Sequence, residues 1–174
     1  GMDFLLDAWE AGPDTDLRWL AYALATAFHE TDRTMQPVRE RGGADYFFRM
    51  YDPASPLSNR AALARRMLAR PGDGVLFYGR GHVQLTWREN YRRAGALVGQ
   101  PLEAEPDLAL QPAVSARVMF AGMRSGLFTG KRFAHYFPDG GLADWINARR
   151  IINGLDRAED VAGYAQAFYR ALHA

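Results

Sequence analysis

The chain has 174 residues, 48% of them hydrophobic, which is enough for one buried core and within the usual range for a single domain. It contains no cysteine, which excludes disulfides, thiolate nucleophiles and Cys-ligated metal sites and leaves chemistry to oxygen, nitrogen or carboxylate groups. Its 21 Lys and Arg against 20 Asp and Glu give a net charge of +1, so the overall charge provides no attraction for nucleic acid or anionic lipid.

Residues 1–13 are interpreted as an N-terminal lead-in to a single domain spanning residues 1–174. Gly1 ahead of Met2 is typical of a residue left by tag removal. The following DFLLDAWEAGPD has neither the basic start nor the long apolar stretch of a signal peptide. No run approaches the roughly 20 apolar residues of a membrane span, so we expect no membrane insertion.

The hydrophobic pattern predicts a mainly α-helical fold with at most a small hairpin. The stretch LRWLAYALATAFHE, residues 17–30, is apolar on several faces and can be capped by Asp14 or Asp16, so it predicts a central buried helix. Further helices are predicted after Ser58 as far as Pro71, from Trp87 to Gly99, from Pro112, in LADWINARRII before Asn153, and after a capping-box-like pair, Asp156 and Glu159. VLFYGRGHVQL favours a short ribbon bent at its glycines.

Glu30 is the first candidate for chemistry, because it ends the otherwise apolar central helix in His29-Glu30-Thr31. A buried carboxylate is costly and needs partners or a proton, and a raised carboxyl pKa is what a general acid in glycoside cleavage requires. The alternative is that Glu30 only marks the helix end in solvent. A zinc site fails, because Arg33 stands where the second histidine is needed, and His29 is interpreted as a hydrogen-bonded structural residue.

Glu40 is the second candidate, in TDRTMQPVRERGG, where Pro37 and Gly42-Gly43 predict a loop. Inverting glycosidases place a second carboxylate about 6.5–9.5 Å from the acid, where it activates a water molecule. Spacing in sequence does not measure that gap. The alternative is an ordinary solvated loop acid.

The stretch FYGRGHVQLTWRENY, residues 77–91, is too polar for a core and too aromatic for a linker. With the two acids it resembles the catalytic core of glycoside hydrolase family 19, the chitinases and their phage and bacterial endolysin relatives in the lysozyme superfamily. ARRIINGLDRA, at 148–158, resembles the family's Ile-Ile-Asn-Gly segment, so the resemblance runs from about residue 17 to the C-terminal helix. The matching motif positions are Tyr78, Gly79, Arg80, Gly81, Gln84, Leu85, Trp87, Asn90 and Tyr91.

The resemblance implies a lysozyme-like fold with a substrate cleft, in which Glu30 is the general acid and Glu40 the general base. Thr86 stands where the family usually has serine, a hydroxyl that helps to hold the attacking water. Neither a metal nor another cofactor is implied. The implied substrate-binding residues are Tyr78, Arg80, Gln84, Trp87, Asn90 and Asn153.

Two of these assignments have alternatives. Trp87 is also suited to packing, because an indole usually buries a large area. Arg80 is suited either to pairing with a catalytic carboxylate or to an ordinary surface salt bridge. The chain also departs from the family motif, with His82 in place of proline and Arg88-Glu89 in place of Asn-Tyr, which puts sugar contacts on that edge in doubt.

The expected substrate is a polysaccharide with β-1,4-linked N-acetylated sugars, cleaved with inversion by a monomeric enzyme. The compact length and the residues around Glu40 resemble the endolysin branch, which acts on peptidoglycan, and chitin is the alternative. A different class of function is a noncatalytic glycan-binding or phage-structural module. Retention of Glu30, Glu40 and the Thr86 hydroxyl favours the enzyme.

An enzyme of this kind without a signal peptide is expected to be made in the cytoplasm and carried to the cell wall by a separate export or lysis system.

Overall fold

Helices form most of the protein, whose computed structural model describes residues 1–174. The seven α-helices are α1 (Met2–Glu10), α2 (Leu17–Glu30), α3 (Ala44–Tyr51), α4 (Ser58–Arg66), α5 (Arg88–Val98), α6 (Pro112–Ser125) and α7 (Ala158–Ala171). The strands β1 (Val38–Arg39) and β2 (Arg80–Gly81) pair antiparallel in one small sheet. Short 3-10 helices lie at Asp73–Val75, Pro106–Leu110, Phe133–His135 and Asn147–Ile151. The predicted mainly α fold with a small ribbon is confirmed.

Helix α2 is the predicted central helix, with the predicted bounds. Asp16, one of the two candidate caps, accepts a hydrogen bond from the backbone N–H of Arg18 at 2.9 Å. Every residue from 20 to 27 is buried. Four of these eight are alanines, whose small side chains let neighbouring elements approach closely. Helix α7 packs along α2, and the rings of Phe28 and Tyr164 meet edge to face at 5.0 Å.

Two apolar clusters fill the interior. The main core contains 21 buried residues, supplied largely by α1, α2, α6, α7 and the segment 133–151. The second core contains 11 buried residues. They are Phe77, Leu85, Tyr91, Ala94, Val98, Leu102, Ala109, Val114, Val118, Ala121 and Leu127. Helix α6 contributes to both cores, with Met119 and Phe120 in the main core and Val114 and Val118 in the second.

Glycine and proline set several helix ends, and those at Pro112 and Gly99 were predicted. Pro112 is the first residue of α6, where its missing N–H costs no hydrogen bond. Gly99 ends α5 at φ 64° and Gly126 ends α6 at φ 79°, left-handed conformations that favour glycine.

The ribbon predicted in residues 75–85 forms in part. Arg80 forms an isolated bridge with Leu85 inside that stretch, but strand β2 pairs with β1, which lies outside it.

Other local predictions were wrong. The N-terminal lead-in contains helix α1, which buries Leu5 and Trp9 in the main core, and helix α3 was not predicted at all. Ser58 is the first helical residue rather than a side-chain cap, and α4 ends at Arg66, before the expected Pro71. The segment LADWINARRII forms only the short 3-10 helix.

The start of the C-terminal helix also differs from the prediction. Helix α7 begins at Ala158, directly after Arg157, whose φ is 56°. No side-chain capping bond forms, so the pair Asp156 and Glu159 is not a capping box. The helix turns its apolar face inward, where Val161 and Ala165 are buried in the main core. No helix of the protein is both long and apolar enough to cross a lipid bilayer.

Candidate active site

Glu30 is the last residue of α2 and is held by an arginine from the other end of the chain. Its Oε1 accepts a hydrogen bond from Nη1 of Arg149 at 2.6 Å. The Arg149 side chain is only 3% exposed and that of Glu30 19% exposed, so this pair lies largely inside the protein. The Nε of Arg149 donates to the carbonyl of Asp156 at 3.1 Å, which fixes the guanidinium. Glu30 is therefore more than a solvent-exposed helix end.

The second oxygen of Glu30 accepts no hydrogen bond from the protein. Because Arg149 occupies Oε1, a proton on this carboxyl group is best carried by Oε2. That oxygen is also the one free to meet a ligand. The carboxyl group thus has one oxygen anchored to Arg149 and one oxygen without a hydrogen bond from the protein.

Glu40 follows strand β1 and accepts hydrogen bonds on both of its oxygens. Oε1 accepts from the hydroxyl of Tyr51 at 2.6 Å and from that of Tyr46 at 3.3 Å, and Oε2 accepts from the N–H of Gly79 at 2.8 Å. The N–H of Glu40 also donates to the carbonyl of Gly79 at 2.9 Å. Glu40 is therefore fixed in position, unlike an ordinary solvated loop acid.

The close contact between Glu40 and residue 79 depends on glycine. A Cβ at this position would lie 2.6 Å from Oε1 of Gln84 and 3.0 Å from Oε2 of Glu40, closer than carbon and oxygen normally approach. Gly81, with φ at 90°, would place a Cβ 2.7 Å from the hydroxyl of Ser115. The two glycines of the motif thus allow the backbone to approach its neighbours, as expected.

Gln84 and Thr86 link the motif to the β ribbon. The amide nitrogen of Gln84 donates to the carbonyl of Val38 at 3.0 Å, and Thr86 Oγ1 donates to the carbonyl of Gln84 at 2.8 Å. Both residues are partly buried. Because Thr86 uses its only proton in this bond, its oxygen is left to accept a hydrogen bond from a ligand or a water molecule.

Tyr78 and Arg80 lie in the interior rather than on an open surface. Tyr78 is 5% exposed, and its ring stacks on that of Phe47 with centroids 4.1 Å apart. The guanidinium of Arg80 lies 3.8 Å from the centroid of the Tyr78 ring and donates to Asp107 at 2.7 Å and to the hydroxyl of Tyr91 at 3.0 Å. Arg80 thus pairs with Asp107 and with neither candidate acid.

This placement changes the substrate contacts expected for the two residues. The Tyr78 ring is stacked on Phe47 and covered by Arg80, so it has no open face for a sugar, and the Arg80 guanidinium is bonded within the protein. The Tyr78 hydroxyl bonds no protein group, and a sugar contact through it stays a prediction. Tyr78 and Arg80 support the backbone on either side of Gly79, which in turn holds Glu40.

Three further predicted substrate contacts are at least partly open to solvent. Trp87 is partly buried, with φ at 75°, and its ring meets that of Tyr51 edge to face at 5.2 Å. Asn90 is partly exposed on the first turn of α5, and its side chain bonds no protein group. Asn153 is exposed, with Oδ1 accepting from the N–H of Gly154 at 2.8 Å and its amide protons free. Their sugar contacts remain predictions.

Both histidines near the site lack a catalytic arrangement. His82 is fully buried, with Nδ1 2.8 Å from the Ser115 hydroxyl and Nε2 3.2 Å from the carbonyl of Met35, and burial lowers its pKa. It is therefore a neutral structural residue in place of the family's proline. The side chain of His29 makes no hydrogen bond within the protein, so the hydrogen-bonded role expected for it is not found. No group of three or more His, Asp or Glu side chains is gathered as metal ligands.

The sequence interpretation missed three residues that hold the two acids: Arg149, Tyr51 and Tyr46. Arg149 lies in the ARRIINGLDRA segment that carried part of the resemblance, but nothing local distinguishes it from Arg150 beside it. Burial separates the two, because Arg149 is buried and Arg150 exposed. The tyrosines belong to the unpredicted helix α3.

Comparison with known proteins agrees with the geometry. The family model of chitinase class I, glycoside hydrolase family 19, matches residues 11–123, which is more than half of the chain and includes both acids and the whole 77–91 motif. The chain belongs to glycoside hydrolase family 19. The resemblance inferred from the motifs is thereby confirmed.

Solved structures show the family 19 fold directly. Chitinase C from Streptomyces griseus HUT6037 superposes with a TM-score of 0.71 and 24% identity, covering 98% of this chain and 83% of that one. A bacterial family 19 chitinase superposes with a TM-score of 0.69 and 23% identity, covering 98% and 84%. At these identities the likeness concerns the fold, and it confirms the predicted mainly α, lysozyme-like architecture.

Sequence relatives match over a shorter segment. An endochitinase of Arabidopsis thaliana is 46% identical over 43 residues, which are 24% of this chain and 15% of the relative. Acidic endochitinase Q of Nicotiana tabacum is 51% identical over 37 residues, covering 21% and 15%. The chain therefore aligns with less than a fifth of the length of these plant relatives.

Proposed function

We propose that this family 19 protein hydrolyses β-1,4 bonds in polymers of N-acetylated amino sugars through an acid and a base acting with one water molecule. The observation that carries the proposal is the pair of anchored carboxylates: Glu30 is held by Arg149, and Glu40 by Tyr51 and Gly79. Binding alone does not require two glutamates fixed in this way.

Glu30 is suited to the role of acid. A proton on its free oxygen can pass to the glycosidic oxygen as the bond to the anomeric carbon breaks. The carboxylate that remains is stabilised by the buried guanidinium of Arg149, 2.6 Å from Oε1. The same contact prevents the side chain from rotating away from the bond it protonates.

Glu40 is suited to the role of base. It can take a proton from a water molecule that attacks the anomeric carbon from the face opposite the leaving group, and this attack inverts the centre. The oxygen of Thr86, whose proton is donated to the carbonyl of Gln84, can accept the second proton of that water in a hydrogen bond. Thr86 thus orients the nucleophile without taking part in proton transfer.

Within this substrate class we propose peptidoglycan as the natural polymer. Arg39 and Arg41 flank Glu40, are exposed and take part in no ion pair, and the charge of Arg60 acts on Tyr46 and Tyr51 beside the base. Peptidoglycan carries carboxylates on its peptide stems, whereas chitin is neutral, so a group of uncompensated arginines favours the anionic polymer.

Chitin is the second candidate substrate, favoured by the relatives and structures whose names are those of chitinases and endochitinases. Both polymers share the β-1,4 linkage and the N-acetyl groups. Parallel digestion of purified sacculi and chitin oligomers, with mass analysis of the products, tests the two. Soluble products from sacculi alone, or much faster from sacculi, support peptidoglycan; products only from chitin oligomers refute it.

Two variants sharpen this comparison. Arg41→Gln, which removes an exposed arginine that bonds no protein group, should lower kcat/KM on sacculi several-fold and leave hydrolysis of chitin oligomers unchanged, because only the first substrate presents carboxylates. Arg170→Gln, on the exposed side of α7, is the matched control. It removes one unpaired positive charge at a position distant in sequence from Glu40. Binding to either polymer with no products, in the native protein, would indicate the noncatalytic glycan-binding module instead.

A further inference from the structure

Tyr51 stands out among the groups that hold Glu40. It is the last residue of helix α3, and its hydroxyl lies 2.6 Å from Oε1 of Glu40, a distance typical of a hydroxyl donating to a charged carboxylate. Tyr46, at 3.3 Å from the same oxygen and 41% exposed, makes a longer and weaker contact. The strong donor on this side of the carboxylate is therefore Tyr51.

The ring of Tyr51 is itself held in place. Its edge meets the ring of Trp87 at 5.2 Å with an interplanar angle of 87°. Trp87 in turn precedes α5, and its backbone N–H donates to the carbonyl of Phe77 at 2.9 Å, which ties it to the motif. The hydroxyl is thus presented to Glu40 by two packed aromatic rings rather than by a mobile side chain.

We propose that Tyr51 is a positioning residue for the base, whose hydroxyl donates to Glu40 and orients its carboxylate toward the attacking water. The inference rests on the proposed function, because it assigns Tyr51 to the step in which Glu40 takes a proton from water. A hydrogen bond donated to a carboxylate favours the charged form over the neutral one, and here it also fixes which lone pairs face the water.

The donor remains protonated throughout this step. Burial and the hydrogen bond to Glu40 raise the pKa of Tyr51 above its ordinary value, because a phenolate beside a carboxylate is disfavoured. Besides Glu40, the charged or titratable groups that act on Tyr51 are Tyr46 of the same helix and Arg60 of α4. Neither competes for the Tyr51 proton. The guanidinium of Arg60 has no acceptor atom, and the hydroxyl of Tyr46 itself donates to Glu40.

The test compares Tyr51→Phe with two other tyrosine variants that lose a hydroxyl. Tyr51→Phe should lower kcat about tenfold with KM unchanged, because a displaced base slows the reaction without altering substrate binding. The acid limb of its kcat profile should also move to higher pH, because the neutral form of the base is no longer disfavoured by the donor. Tyr46→Phe should show the same changes to a smaller degree. Tyr169→Phe, whose hydroxyl bonds no protein group and whose ring packs on Trp145, should match the native enzyme.

Two outcomes overturn the proposal: a Tyr51→Phe profile that coincides with that of Tyr169→Phe, or a loss of kcat that leaves the acid limb in place. If Tyr51→Phe does not fold, 3,5-difluorotyrosine at position 51 retains the ring and strengthens the donor. The acid limb should then move to lower pH, and an unchanged limb contradicts the proposal. A native enzyme that hydrolyses neither polymer refutes the proposed function itself, and this is seen before any variant is compared.

Discussion

Replacing Glu30 with glutamine and with alanine separates its chemistry from its hold on Arg149. Glutamine retains an oxygen that accepts the 2.6 Å bond from Arg149, whereas alanine leaves the guanidinium, only 3% exposed, without its partner. Removing one member of a buried ion pair costs about 3–5 kcal/mol, and the 19% exposure of Glu30 places this pair near the lower end. We expect Glu30→Ala to lose about 3 kcal/mol of stability and Glu30→Gln about 1 kcal/mol.

These losses of stability should lower the midpoint temperature of thermal unfolding. In a chain of this size 1 kcal/mol corresponds to about 2–4 °C, so Glu30→Ala should unfold about 6–12 °C below the native protein and Glu30→Gln about 2–4 °C below. Both variants should lose turnover by about 10²–10⁴-fold, because neither can donate a proton. Calorimetry and hydrolysis assays on the same preparations measure both effects. Near-native turnover in Glu30→Gln would remove Glu30 from the role of acid, and equal midpoints for the two variants would refute the energetic importance of the pair.

Three further predictions concern the base side of the site. Thr86→Ser should retain most turnover and Thr86→Val should lose about tenfold or more, because valine keeps the shape without the hydroxyl; equal rates would mean that Thr86 only packs. Gly79→Ala should fold with a loss of about 1–3 kcal/mol of stability and have far lower turnover, because its Cβ would meet Gln84 at 2.6 Å and Glu40 at 3.0 Å. Unchanged turnover would contradict the importance of this close approach. Hydrolysis should first release the α-anomer, as NMR of the anomeric proton can show within minutes, and an initial β-product would exclude Glu40 as the base of an inverting reaction.

Sequence patterns predicted those features that depend on neighbouring residues. Helix α2 was found with its true bounds, because its apolar period and the cap at Asp16 are local signals. The end of α5 followed from Gly99 and the start of α6 from Pro112 for the same reason. Helix α1 carried a similar signal in Leu5 and Trp9, spaced one helical turn apart, but was interpreted as a lead-in. The two acids were found through the motif that resembles the family.

Contacts between distant parts of the chain could not be predicted in this way. Glu30 and Arg149 are 119 residues apart in sequence, and the second of two adjacent arginines would have matched the pattern equally well. The burial of Tyr78 and Arg80 also could not be predicted from the sequence. Their residue types suit sugar binding, and only the packing of Phe47 against Tyr78 shows that the ring is buried. Burial, rather than residue type, decides between these roles.

Helix α6 has a consequence for engineering the enzyme. One of its faces packs in the main core, which carries the helix ending at Glu30, and another packs in the second core, beneath the stretch that holds Glu40. Side-chain volume on α6 therefore contributes to the packing that supports both carboxylates, although α6 forms no hydrogen bond with either of them. Exchanging volume between Met119 in the main core and Val114 in the second core would change the packing under Glu30 and under the Glu40 stretch in opposite senses. Libraries confined to α6 thus offer a way to vary the placement of Glu30 and Glu40 without substituting either residue.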